Sequence, residues 1–242
     1  MQRELEDKVV LVTGASRGIG YAVSKEAARR GGHVIAVART VGGLEELDDE
    51  IQELGGSATL VPLDLTDGDA IDRLGHSIFE RWGHLDGLVV NAAVLGVISP
   101  LPHIAPKEFN KVMDINVTAP FRLVRSLDLP LRQAKAGRVV FVSSSSAQSC
   151  KAYWGLYAAS KAALNAMAKA WSNELQQTKM GVNVFYPGAV RTAMRAKAVP
   201  GEDPKTLPTP DEIAPKLVDM LSPDFTERGQ IYDVRKGGFR EI

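Results

Sequence analysis

Seven short apolar runs recur along the chain, most of them separated by helical patterns, and this alternation constrains the fold more than any other feature. Residues 8–13, His33–Ala38, 58–63, 88–91, 138–143, 182–186 and 229–234 read as strands. Helical patterns fill 19–30, 44–54, a stretch opening at Thr66 and running to Trp82, a long stretch from Pro106, 155–177 and 209–221. Runs this apolar and this short suit strands buried on both faces. Strands alternating with helices predict an α/β fold, a doubly wound seven-stranded parallel sheet with helices on both faces. Ligands of such sheets bind outside the carboxyl ends of the strands. With 242 residues, 45% of them hydrophobic, the chain is long enough for a single domain over 1–242.

The first strand runs into Gly14-Ala15-Ser16-Arg17-Gly18-Ile19-Gly20, and a helix follows. Strand, glycine turn and helix N-terminus together make an anion site, because backbone N–H groups and the helix dipole converge on one point. Glycines permit the tight turn and the close approach of a pyrophosphate. The spacing is Gly-x-x-x-Gly-x-Gly, wider in its first gap than the dinucleotide fingerprint, and such a turn can also be purely structural. The second strand ends in Ala38-Arg39-Thr40, without the carboxylate that would bind a ribose 2′-hydroxyl. A guanidinium at Arg39, with Arg17 beside it, suits a 2′-phosphate, so NADP(H) is expected over NAD(H). Both arginines are also compatible with ordinary solvated positions. Asp64 and Leu65, after the third strand, sit where an adenine would lie.

Tyr157 and Lys161 are four apart, which puts them on one face of a helix. An ammonium beside a phenol favours phenolate and lowers the Tyr pKa from about 10. That would make Tyr157 a proton donor or acceptor near neutral pH. The spacing alone is weak, since Tyr21/Lys25 and Tyr232/Lys236 repeat it. Context separates Tyr157: a strand, then a serine cluster over 143–146, then the pair on an alanine-rich helix. Asn116 and Pro120 interrupt the long helix after Pro106, where a kink would hold a buried, water-binding Asn. Residues 193–210, rich in Pro, Lys and small side chains, read as a mobile substrate lid.

Other classes are disfavoured. Lys plus Arg equals Asp plus Glu at 29 each, so nothing points to nucleic acid. The single cysteine, Cys150, excludes an intramolecular disulfide framework and suggests no metal cluster. It reads as a small lining residue rather than a nucleophile. No apolar run approaches the ~20 residues of a membrane span. The charged N-terminus is unlike a signal peptide, so a cytoplasmic protein is expected.

Together these motifs resemble the short-chain dehydrogenase/reductases, in the compact single-domain branch, over nearly the full length. Thr13-Gly14 with Gly18 and Gly20 matches the family's cofactor turn, Asn91-Ala92 the motif after the fourth strand, and Pro187-Gly188 with Thr192 the nicotinamide side. Asn116, Ser144, Tyr157 and Lys161 match the catalytic tetrad. Ser144 is selected because the family places its serine thirteen residues before the tyrosine; Lys8 and Asp219 hold that position before Tyr21 and Tyr232. The resemblance implies a Rossmann-type sheet and hydride transfer between NADP(H) and a small carbonyl or alcohol substrate. Tyr157 would be the general acid, Lys161 would tune it and hold the nicotinamide ribose, and Ser144 would bind the substrate oxygen. Asn116 would hold a water leading from Lys161 to solvent. Ser16, Arg17, Ile19, Arg39, Asp64, Leu65 and Val190 would complete the cofactor site, and Gln148, Trp154 and Met194 the substrate site. Two positions depart from the pattern: Val90 replaces the first Asn of the family's Asn-Asn-Ala-Gly, and Ala93 replaces its Gly. No Arg cluster awaits an anion unless Lys151 or Arg195 faces inward, so a neutral ketone, an aldehyde or an acyl thioester is expected. The resemblance also implies a homo-oligomer, a tetramer or dimer packed through the helices flanking the fifth strand. An NAD-linked alcohol dehydrogenase and a non-catalytic NADP(H)-binding redox sensor are the alternatives.

Overall fold

The computed structural model describes residues 4–242; the first three residues of the charged N-terminal segment lie outside the described residues. Eight strands form one sheet: β1 (Val9–Thr13), β2 (His33–Ala38), β3 (Ser57–Pro62), β4 (Gly87–Val90), β5 (Arg138–Val142), β6 (Gly181–Tyr186), β7 (Gln230–Asp233) and β8 (Gly238–Glu241). Their order is β3-β2-β1-β4-β5-β6-β7-β8, and the first seven are parallel, as expected from the alternation. β8 adds an antiparallel hairpin partner, pairing Asp233 with Gly238. It escapes a sequence reading because its four residues, Gly-Phe-Arg-Glu, carry one apolar side chain. Gly237, at φ 63°, makes the turn, and its N–H donates to Asp233 O at 2.9 Å.

Successive strand residues face opposite sides, which divides the interior into two cores. On one side Val9, Leu11, Leu88, Val139 and Phe141 meet α3 (Gly68–Trp82), α5 (Ala119–Gln133) and α7 (Gly155–Glu174) through Ile71, Leu127 and Trp171. On the other, Val10, Val12, Val89 and Val140 meet α1 (Gly18–Arg29), α2 (Val41–Glu53) and α9 (Pro210–Asp219) through Val23, Leu47 and Leu217. Both faces are covered, hence the unbroken apolar runs.

Local signals account for several helix ends. Thr209 and Glu212 form a capping box at α9. At α3 the cap is Asp67, which accepts from Ala70 N–H, and not Thr66, whose own N–H and hydroxyl donate to Asp64 Oδ1 at 2.9 Å. The long helix after Pro106 is three segments: α4 (Pro106–Met113), a π-helical turn (Asp114–Thr118) and α5. Pro120 sits in the first turn of α5, where a missing N–H costs little. Two short helices, α6 (Ser146–Ser149) and α8 (Ala193–Ala198), follow β5 and β6. Among the described residues no helix is long and apolar enough to cross a membrane.

Candidate active site

β1 sends its connection toward β2 and β3, while β4 lies on its other side, so the connections leaving the carboxyl ends of β1 and β4 diverge and open a crevice. A cleft of ≈ 1250 Å³ runs along this edge from Arg39 past Asn91 and Ser144 to Met194. Of the residues expected to form the site, Gly20, Asn116 and Gln148 do not line it.

The Gly14 end of the cleft is built on a latch between β1 and β4. Thr13 Oγ1 donates to Val89 O at 3.2 Å and accepts the N–H groups of Asn91 and Ala92 at 3.0 and 3.1 Å. Asn91 Nδ2 returns a bond to Thr13 O at 2.9 Å. Val90 points the other way, 2% exposed in the core, so the strand end is supported by Thr13. Gly14 holds φ 69°. Gly20 lies behind it: a Cβ there would stand 2.3 Å from Gly14 O, so only glycine lets α1 start against the turn. The first turn of α1 has no side-chain cap and no acidic residue, which leaves its N–H groups and positive dipole end facing the cleft. Arg17, Arg39, Asp64 and Leu65 line this end. The Arg39 side chain is 60% exposed, 3.8 Å from Asp64. Hydrogen bonding from the Thr66 backbone, helped by Arg39, holds the Asp64 carboxyl below the usual carboxylate range.

The other end is built on β5 and α7. Tyr157 is in the first turn of α7, against the edge of Trp154 at 6.1 Å between centroids. Lys161, one turn on and 3% exposed, donates from Nζ to Val142 O at 2.9 Å. Its ammonium is 5.8 Å from the Tyr157 ring centroid. The expected lowering of the Tyr157 pKa is not what this geometry gives. Burial pushes the phenol up to about 12 and the Lys161 ammonium down to about 8, because desolvation penalises both charged forms. Ser144 follows β5, and its Oγ accepts Ser146 N–H and donates to Ser146 Oγ, both at 3.1 Å.

Asn116 is 1% exposed on the π turn. Its side chain clasps Val94, accepting from the backbone N–H and donating to the carbonyl at 2.9 Å, and also donates to Ser160 Oγ at 3.0 Å. Ser160 donates in turn to Tyr157 O at 2.8 Å. The Asn116 side chain is therefore a brace between the cleft wall and the backbone of Tyr157. Ser160 had no sequence signal beyond its place beside Lys161.

Beyond β6, Pro187, Gly188, Val190 and Thr192 line the cleft, and Thr192 caps α8 by accepting Arg195 N–H at 3.2 Å. Trp154 and Met194 line the Tyr157 end of the cleft, whereas Gln148 is exposed on α6 outside it and Ser149 lines it instead. Lys151 and Arg195 both line the cleft, so the condition under which an anion could be held is met.

The profile of the short chain dehydrogenase family matches residues 8–203. The chain is 37% identical over 237 residues to the uncharacterized oxidoreductase YciK of Escherichia coli (strain K12), across 96% of this chain and 94% of that protein. A short chain dehydrogenase of Shigella flexneri 2a complexed with NADP superposes with a TM-score of 0.93 at 37% identity, covering 97% of this chain and 100% of that one. One from Escherichia coli CFT073 complexed with NADPH superposes with a TM-score of 0.91 at 36% identity, again over 97% and 100%. The chain belongs to the short-chain dehydrogenase/reductase family of oxidoreductases.

Proposed function

We propose that the chain is an NADP(H)-dependent carbonyl reductase, reversible as an alcohol dehydrogenase. The observation that carries this reading is one cleft lined by the Gly14 turn and Arg39 at one end and by Ser144, Tyr157 and Lys161 at the other. The glycine cradle fits a dinucleotide, since any side chain at Gly20 would collide with Gly14. When bound, the dinucleotide supplies the hydride. Backbone N–H groups over Gly14, Ser16, Gly18 and Ile19 would take its pyrophosphate. Arg17 and Arg39 would fork onto a 2′-phosphate. Asp64 and Leu65 would flank the adenine, and Asn91, Ala92, Pro187, Gly188, Val190 and Thr192 the nicotinamide side. NADP and NADPH in the two superposed relatives support the same choice of cofactor.

A phenol held near 12 is protonated throughout the neutral range, so Tyr157 enters as a proton donor and its resting state suits reduction. It gives its proton to the carbonyl oxygen as that oxygen gains charge. Ser144 turns its hydroxyl to the same oxygen and stabilises it. Lys161 stabilises the phenolate left behind. Asn116, through Ser160, keeps the Tyr157 backbone in place. Trp154 and Met194 form an apolar wall, and 193–210 acts as a lid over the substrate. Exposed Phe121 and Leu129 on α5 support a homo-oligomer packed through the helices that flank β5, α5 and α7.

The test is oxidation of NADPH and of NADH against a panel of aldehydes, ketones and acyl thioesters, with wild type beside Tyr157→Phe. Turnover by wild type alone, with NADPH preferred, supports the reading. Equal turnover by the variant overturns the role of Tyr157, and NADH preferred over NADPH overturns the cofactor.

A further inference from the structure

The substrate end of the cleft carries more positive charge than proton transfer requires. Three lysines from three separate elements line the same cleft as Ser144 and Tyr157: Lys111 on α4, Lys151 in the turn before α7, and Lys197 on α8. All three are exposed, and none has an ion-pair or hydrogen-bond partner for its ammonium among the described residues. The neighbouring arginines are already engaged. Arg195 grips Glu202 through two bonds of 2.6 Å, and Arg191 donates to the carbonyls of Pro204 and Leu207 at 2.6 and 3.1 Å. Among the described residues, Glu108 is the one carboxylate lining this end. Basic composition does not explain the excess, because the chain as a whole has 29 cationic and 29 anionic side chains. A cleft lined by one sign of charge focuses its field on a ligand of the other sign.

We propose that the substrate is a carbonyl compound with an anionic arm, a phosphate or a carboxylate, held at the rim by Lys111, Lys151 and Lys197. Its apolar body lies against Trp154 and Met194, and its carbonyl reaches Tyr157. The proposal rests on the reading above only for where the carbonyl sits. It replaces the neutral substrate expected from the sequence, where nothing showed that the three separate lysines line one cleft. Arg17 and Arg39, at the far end, are left to the nucleotide.

The test uses protein saturated with NADPH, so that the nucleotide phosphates occupy their own site, and measures binding of hexyl phosphate, hexanoate and hexanol by NMR titration. Three exposed cation–anion contacts together give about a tenfold preference for an anion over hexanol at low salt. That preference shrinks toward one at about 0.5 M salt, where screening acts over ~4 Å. It also falls toward one in K111Q/K151Q/K197Q, whose melting temperature and NADPH affinity are measured beside wild type. Hexyl phosphate against hexanoate assigns the arm. A wild-type ratio near one, or a ratio that survives in the triple variant, overturns the proposal. Should the triple variant lose its fold, the three single variants and the salt series decide. Reduction of hexanal separates the two readings: turnover with a binding ratio of one overturns the anionic arm alone. A preference for the anion without turnover of any aldehyde leaves the arm supported and counts against the reductase.

Discussion

The two ends of the cleft are built from different materials. At the nucleotide end the pyrophosphate cradle is backbone, the Gly14 turn and the start of α1, held in place by the side-chain latch of Thr13 and Asn91. These parts rest on two buried cores, and a Cβ at Gly20 has nowhere to go. At the substrate end the working parts are side chains on short elements. α6 spans four residues and α8 six, and the turn between α6 and α7 holds Cys150 and Tyr153 at φ 40° and 71°. Backbone geometry recognises what all dinucleotides share, whereas side chains on short segments can change without disturbing the sheet. On the proposed function, the first end therefore speaks to the cofactor and the second to the substrate.

The sharpest way to break this comparison is to remove one atom from the side-chain end. Tyr157→Phe deletes the proton donor and should lower turnover by about 10²–10⁴-fold, the usual worth of a general acid. NADPH affinity, measured by fluorescence titration, should stay within about twofold, because the cradle lies elsewhere. Comparable losses in both would mean that the two ends do not act independently. At the other end Arg39→Ala should weaken NADPH by about 10–100-fold, the range of a lost charged hydrogen bond, and leave NADH unchanged. Equal weakening of the two cofactors would show that Arg39 does not read the 2′-phosphate.

The same contrast explains what could be read from the chain. Strands buried on both faces leave continuous apolar runs, so seven strands and their parallel arrangement were legible. Glycines at 14, 18 and 20 announce a backbone constraint directly. β8 was missed because a short, charged edge strand carries no periodicity, and α6 and α8 because one or two helical turns do not either. The π turn could be anticipated only as a kink near Asn116 and Pro120. The direction of the Tyr157 shift could not be read, because spacing shows that a lysine is near but not that both groups are desolvated. That Lys111, Lys151 and Lys197 line one cleft is a fact of tertiary structure, spread over 87 positions of sequence.

Burial of Lys161 gives the comparison a pH dependence. Its ammonium lies near 8 and the Tyr157 phenol near 12. The reductive kcat/KM should be flat below pH 8, where both groups are protonated. It should then fall about tenfold per unit as Lys161 loses the charge that stabilises the phenolate left on Tyr157. NADPH affinity across the same range separates proton transfer from cofactor binding. A profile that stays flat to pH 10 would mean that the Lys161 charge does not act on Tyr157.

The smallest expected effect probes how the proposed lid over 193–210 is held. Arg195 and Glu202 are partly exposed at 28% and 25% of their side chains, and they tie α8 to the turn after it. Exposed pairs contribute little, so Glu202→Gln should raise the KM of a neutral aldehyde by only about twofold and leave kcat alone. Limited proteolysis within 199–208 should quicken by a similar factor, since local opening reports the same loss. Arg191 provides the counter-argument, because its bonds to Pro204 and Leu207 hold the same segment from β6 and survive in this variant. If neither KM nor cutting changes, the lid is anchored by Arg191 alone, and the Arg195–Glu202 pair only keeps a fourth cation from the substrate rim. Glu202→Gln would then tighten hexyl phosphate while leaving hexanol unmoved.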